Sequence, residues 1–491
     1  MSERGLTLLL IAAYTALMAR HALQGHRATR DVTDYYVGGR SMGGVALGLS
    51  FFATYSSTNS FVGFAGQAWS YGLPWLLLLP CILFFVWLAW VAVAPRLRRF
   101  TAALESVTLP DFIGFRFGSP AARHCSALIV VFASVLYMIA VFKGIGTLLE
   151  VKLELPYAAS IGLVLVIVMG YTAIGGFVSV VRTDGIQGVM MLAAALVLFA
   201  GTARAAGGLS ALSELGSYPG TAHLARWDAG LPLPVLLGIL VAGSMKFVVE
   251  PRQLSRFYAL RDERALRQGL LVSLGAFAFA YTLLVPIGLY ARFVLPPELA
   301  DTDRVVPELL AASGVFSAPV AALLLVAMVA AAMSSLDSVL LVVASTFERD
   351  VLGPLWPRES DAAALRATRF WVAVFAGLTA AIALEPPGGI VALTAFSGSL
   401  YAACFFPPVV LGLHWARGDG ACALASFATG IAVLLAWPRL PWAAELHRVF
   451  PALALSTLVY VALALLRRSA PPPRVALLFR EAASAPASRD P

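Results

Sequence analysis

The chain has 491 residues, of which 60% are hydrophobic and 13% charged, against roughly 45–50% and about 25% in soluble domains. That balance excludes a water-soluble fold and implies one all-α polytopic membrane domain, since a bilayer-crossing helix needs about 20 apolar residues. The formal net charge of +8 is read as loop orientation, because no basic stretch with interleaved aromatics points to nucleic acid.

Apolar runs bounded by charge clusters and Gly/Pro punctuation predict about 13 transmembrane helices. They lie near 5–22, 43–71, 74–94, 124–149, 156–174, 185–205 and 232–250, then 269–294, 316–347, 368–385, 389–414, 420–437 and 449–466. The first run lacks a basic leader and a small-residue cleavage site, so it is read as a retained span. An odd count places the two ends on opposite sides. With the N-terminus outside, 25 of the 35 Lys and Arg residues collect on the cytoplasmic side and eight on the other. The inner group includes Arg96, Arg98 and Arg99, the run Arg252, Arg256, Arg261, Arg264 and Arg267, and Arg467 with Arg468. This is the positive-inside bias, and it predicts a cytoplasmic C-terminus in a multi-pass protein of the cell's inner (plasma) membrane. Beyond Arg468 the Pro-, Ala- and Ser-rich tail, 468–491, is expected to be disordered. Cys81, Cys125, Cys404 and Cys422 show no CxxC spacing and are read as small core residues. The six histidines fall near span ends or in loops and receive no catalytic or metal role.

Two spans carry polar islands. In the second, Ala53-Thr-Tyr-Ser-Ser-Thr-Asn-Ser60 puts hydroxyls and an amide at mid-membrane depth, where polar or non-helical backbone is tolerated only against protein or a cavity. A helix broken there frees carbonyls for a cation and amide groups for an anion; the alternative is helix-packing through Ser/Thr hydrogen bonds. In the ninth, Ser334, Asp337 and Ser338 share one helical face with Ser335 beside them. A carboxylate so deep in a span is a functional candidate by default. Hydroxyls and carbonyls are also the oxygen ligands that hard cations prefer. Lys246, mid-span in the seventh, either meets a carboxylate of an organic anion or zwitterion or pairs with Glu250 at i, i+4. Lys143 reads as snorkelling, and Ser397, Ser399 and Tyr401 as either cavity lining or packing.

The ordered stretches Asp34-Tyr-Tyr-Val-Gly-Gly-Arg-Ser-Met-Gly-Gly44, Ser60-Phe-Val-Gly-Phe-Ala-Gly66 and Tyr71-Gly72 resemble the solute:sodium symporter family. So do Tyr171-Thr-Ala-Ile-Gly-Gly-Phe177, Arg182-Thr-Asp-Gly-Ile-Gln-Gly188, the 251–257 and 331–338 segments, and Gly418-Asp-Gly-Ala421. The pantothenate, proline and monocarboxylate branches look nearest. The resemblance implies a five-plus-five inverted repeat of leucine-transporter type, with the first repeat over 43–205 and the second over 206–414. An extra N-terminal helix and loop, 1–42, would precede them, and two further helices, 415–467, would follow.

Carried over residue by residue, the resemblance implies a sodium site of the Ala53, Ser56 and Ala331 carbonyls with the Ser334 and Ser335 hydroxyls. A second sodium site would use Ser334, Asp337, Ser338 and Asp184. Asp337 stands where a hydroxyl is usual, which leaves open a tighter cation, a proton or no second ion, and Asp184 is linked in the family to sodium release. Asp184 can equally be an N-terminal carboxylate on the sixth helix. Substrate contacts fall on Tyr55, Ser60, Tyr137, Gly243, Lys246 and Phe247, with Gly243 replacing an aromatic or amide.

The implied function is a sodium-coupled symporter that imports a small carboxylate or amino-acid-like solute by alternating access. Its partners are sodium, the solute and the bilayer. Proton coupling on the same fold and a membrane sensor are the alternatives. No nucleophile elbow, metal cluster or phosphate loop suggests an enzyme.

Overall fold

The stretch 42–72 folds as two helices with a gap. In the computed structural model, which describes residues 3–28, 31–218, 220–227 and 231–484, the Gly44–Tyr55 helix stops where Ser56 turns extended, at ψ 102°. The chain restarts as a π turn, Asn59–Gly63, running into Phe64–Tyr71. Ser57 ties the gap, its hydroxyl accepting from the Asn59 N–H at 3.1 Å. The seventh apolar run is also broken. It runs as Leu233–Ser244, bends at Met245, and continues through Lys246–Val249 to an extended Glu250. Pro251 at the first helical position, where its missing N–H costs no bond, then opens Pro251–Tyr258.

Among the described residues eleven helices are long and apolar enough to cross a membrane, and the shorter apolar helices Gly44–Tyr55 and Tyr157–Met169 accompany them. The Ala318–Thr346 helix is buried along most of its length and packs against Pro120–Leu153, Tyr157–Ala205 and the first helix, Glu3–Ala28. Side chains set several helix starts: Ser119 accepts from the Ala122 N–H before Pro120–Leu153, and Asp262 from the Ala265 N–H before Glu263–Leu284. The Gly418-Asp-Gly stretch has a physical reason at each position. Gly418 adopts φ +100° against Tyr460, Asp419 caps Gly420–Ala436, and a Cβ on Gly420 would meet Ser119 Oγ at 2.4 Å.

The structure corrects the sequence reading of the fold in four places. The expected loop 175–184 is helical, because Tyr157–Ala205 continues through a kink at Gly176, at φ 67° and ψ −178°. A Cβ there would lie 2.7 Å from the Tyr35 ring. Asp184 therefore sits well inside a helix and not at its N-terminus. Arg252 and Arg256, counted as loop cations, lie in the Pro251–Tyr258 helix at 1% exposure each. The tail is ordered over Pro473–Ser484, where an amphipathic helix buries Val475 and Leu478. It sets the Phe479 ring 5.3 Å from that of Phe100; residues 485–491 lie outside the described residues. Cys125 is exposed while Cys404 and Cys422 are buried.

Candidate functional site

The carbonyls freed at the end of Gly44–Tyr55 face the polar island of Ala318–Thr346. Ser334 Oγ lies 2.9 Å from the Ala53 carbonyl oxygen and 2.9 Å from that of Ala331, and can donate to one at a time. Ser335 Oγ donates to the Thr54 carbonyl at 3.0 Å. Ser334 Oγ and the Ala53 and Ala331 carbonyl oxygens thus converge from two distant segments among fully buried residues, a donor set that suits a hard, low-charge cation. Ser56 lies at the same break, with its hydroxyl 3.2 Å from Tyr281 Oη.

The other residues of the implied second ion set separate. Asp184 Oδ2 accepts from Ser50 Oγ at 2.6 Å and from Arg256 Nη2 at 2.8 Å, and the same Nη2 donates to Ser338 Oγ at 2.7 Å. A guanidinium therefore stands between Asp184 and Ser338, and supplies the positive charge that burial of this carboxylate requires. Asp337 accepts a hydrogen bond from Thr172 Oγ1.

Beside the first break lies a small cavity, about 20 Å³, with room for about one water. Tyr55, Tyr137, Gly243 and Lys246 border it, together with Asn59, Trp75 and Arg252, which sequence reasoning missed. Ser60 and Phe247 stand behind this lining: Ser60 Oγ is 2.6 Å from Tyr281 Oη, and Phe247 stacks on Tyr55 with ring centroids 4.1 Å apart. Tyr55 Oη donates to the Gly243 carbonyl at 3.3 Å, so the two broken helices touch through backbone that regular helices would not expose. Tyr137 receives two cations on its ring, Lys246 Nζ at 4.7 Å and the Arg252 guanidinium at 3.9 Å from the centroid.

Glu250 bonds Arg252, with Nε to Oε1 at 2.8 Å. Its N–H keeps the helical bond to the Lys246 carbonyl at 2.9 Å, but its side chain turns to Arg252, so of the two readings of Lys246 the ion pair with Glu250 is not formed among the described residues. A wider vestibule of about 700 Å³ shares Ile239, Val391 and Ala395 with this cavity. At its wall Lys143 pairs with Asp303 at 2.6 Å, with side chains only 16% and 6% exposed. Lys143 is thus an ion-pair partner and not a snorkelling cation. Ser397 donates to the Ala133 carbonyl, Ser399 to that of Ala395, and Tyr401 lies 2.9 Å from Ser134, so these three pack. Their helix lines the cavity instead with Val391, Thr394 and Ala395.

Interrupted membrane helices around a central polar site define a secondary transporter architecture. Solved structures agree with this. The chain superposes on a Na+-coupled sialic acid symporter in a substrate-bound outward-open state with TM-score 0.81 at 18% identity, over 95% of this chain and 99% of the other. On Mhp1, a nucleobase-cation-symport-1 family transporter, the TM-score is 0.55 at 14% identity over 88% and 95%. Both are transporters of the leucine-transporter fold.

The sodium:solute symporter family model matches residues 35–430, and the chain belongs to that family. Similar proteins include the sodium/pantothenate symporter of Haemophilus influenzae, 29% identical over 88% of this chain and 89% of that one. The high-affinity proline transporter PutP of Bacillus subtilis is 28% identical over 88% and 92%. The chain is therefore a multi-pass membrane protein that couples sodium to symport of a small solute, and not an enzyme.

Proposed function

We propose that the protein imports a small organic solute, a carboxylate or amino-acid-like molecule, by alternating access across the cytoplasmic membrane. One sodium ion would bind at Ala53, Ser56, Ala331, Ser334 and Ser335. The observation that carries this reading is the convergence of the Ala53 and Ala331 carbonyls on Ser334 Oγ, both at 2.9 Å. An ion there joins the broken helix to Ala318–Thr346 and raises solute affinity by a reciprocal coupling free energy. The sialic acid symporter with which the chain superposes was captured outward-open. The vestibule on the Asp303 face reaches the cavity beside the helix break through shared walls at Ile239, Val391 and Ala395. The Asp303 face is accordingly read as external.

The Arg256 bridge from Asp184 to Ser338 favours a single sodium over a second ion at that set. Asp337, bonded to Thr172, is the group through which a proton-coupled variant would work. Each sodium moving inward gains about 2.3 kcal/mol per 100 mV, equivalent to between about one and two decades of solute accumulation.

Sodium titration of uptake in proteoliposomes tests the site. Ser334→Ala and Ser335→Ala are expected to raise the sodium concentration for half-maximal uptake at least about tenfold, with thermal unfolding in sodium-free buffer showing that both variants fold. Unchanged sodium activation in both would refute the assignment.

A further inference from the structure

The cavity beside the helix break is bordered by two cations. Lys246 and Arg252 are 2% and 1% exposed. Glu250, the carboxylate bonded to Arg252, is 2% exposed and spends Oε1 on Arg252 Nε; its Oε2 has no hydrogen-bond partner among the described residues and lies outside the cavity lining. The Lys246 ammonium has no ion pair or hydrogen bond among the described residues and sits over the Tyr137 ring, with Glu250 reaching it only through the electrostatic field. With Lys246 protonated, two positive charges against one negative leave one positive charge uncompensated in a buried site, an arrangement that calls for a counter-charge. The ring face of Tyr137 attracts both cations but carries no net charge.

Hydrogen-bonding capacity points the same way. Among the described residues Arg252 Nη2, the Tyr137 hydroxyl and Trp75 Nε1 are buried without a hydrogen-bond partner, and all three residues line the cavity. Buried donors left without acceptors are costly and uncommon. An ionised carboxylate, with acceptor sites on both oxygens and no donor, satisfies several of them at once. The Asn59 side-chain oxygen is likewise unpartnered among the described residues and suits a hydroxyl or amide N–H of the solute. Phe64, Leu78, Ile239 and Val391 supply the apolar remainder of the wall.

We propose that the transported solute is an organic monoanion whose carboxylate is held between Arg252 Nη2 and Lys246 Nζ over the Tyr137 ring. This deepens the symport reading and rests on it. A zwitterionic amino acid would leave the site's charge sum at one positive and bring an ammonium towards two cations. A neutral solute would leave both the charge and the donors unanswered.

The test uses the purified full chain in sodium, with matched ligands read by thermal shift: lactate, lactamide and alanine; butyrate and butyramide; pantothenate and panthenol; and proline. At least one carboxylate is expected to stabilise the protein, with its neutral and zwitterionic analogues needing at least about tenfold higher concentration. Equal stabilisation by a neutral or zwitterionic analogue overturns the proposal. So does a panel in which no carboxylate binds although sodium alone still stabilises, an outcome that leaves the symport reading standing. Loss of sodium stabilisation itself overturns both.

Two variants localise the effect. Lys246→Gln removes a group without structural hydrogen bonds, and Glu250→Gln/Arg252→Gln removes the ion pair as a unit. Each is expected to weaken the carboxylate at least about tenfold, and unchanged carboxylate affinity in both overturns the assignment.

Discussion

Arg252 and Ser335 donate to one acceptor: the Thr54 carbonyl oxygen lies 2.7 Å from Arg252 Nη1 and 3.0 Å from Ser335 Oγ. The adjacent carbonyl, that of Ala53, faces Ser334. A cation bound at the break and an anion bound at Arg252 would therefore pull on neighbouring peptide units, and neither can move its ligand without moving the other's. Arg252→Lys keeps the charge but not the planar fork that reaches Thr54 and Glu250 together. Its expected effect is to reduce the enhancement of sodium affinity by solute, about 5- to 150-fold in typical coupled sites, by at least about fivefold. Sodium titrations of thermal stability with and without a binding carboxylate measure this; an unchanged ratio would show that coupling runs elsewhere.

Gly243 borders the cavity with space above it, since a Cβ built there meets only Tyr55 Oη, at 3.8 Å. Gly243→Ala should leave the fold intact or slightly more stable, as alanine is preferred over glycine in a helix by about 1 kcal/mol. It should weaken branched carboxylates more than short ones. Uptake KM across a series from acetate to branched hexanoates checks the expectation, and a uniform change along the series would contradict it.

Lys143 and Asp303 join residues 160 apart at the vestibule wall, and the Asp303 carboxylate also accepts from the Ile390 N–H at 3.2 Å. Lys143→Met strands a largely buried carboxylate, expected to cost about 3 kcal/mol. In Lys143→Met/Asp303→Asn the charge is gone while an acceptor for the Ile390 N–H remains, so the double variant should be more stable than Lys143→Met alone. Thermal unfolding of the three proteins decides it.

Asp419 lies outside the membrane-spanning segments. Burial alone would raise its pKa, yet hydrogen bonds from Ser469, Arg467 and the Cys422 N–H hold it below the usual carboxylate range. A lowered folded-state pKa contributes stability that is fully present above the unfolded value of about 3.9 and is lost as pH falls through the folded one. Asp419→Ala should cost about 1–2 kcal/mol. The loss should stay flat from about pH 8 to 5 and shrink below about pH 4. A loss that varied between pH 6 and 8 would assign it to another group.

The apolar runs and both polar islands were legible because membrane depth forbids unexplained polarity: Ala53 to Ser60 and Ser334 to Ser338 stood out against Leu, Val and Ala. Arg252 and Arg256 were not. Following Glu250-Pro251 they read as the start of a loop, and their burial depends on Glu250, Asp184 and the Thr54 carbonyl, partners that only the fold brings near. Lys143 misled for the same reason, since its partner belongs to a loop 160 residues on. The kink at Gly176 is local, but its cause, the Tyr35 ring, is not. The tail helix was masked by composition: Pro, Ala and Ser dominate 468–491, whereas Val475, Leu478 and Phe479 supply the anchoring face.

That anchoring has a corollary for watching the protein work. With the Phe479 ring edge-on to that of Phe100 and Glu481 paired to Arg99 at 3.4 Å, a fluorescent reporter joined directly after Ser484 starts close to a fixed point on the Arg99 side. Energy transfer from that reporter to a dye placed beside Asp301 would then register one half of the molecule tilting against the other during turnover, rather than the wandering of a loose tether.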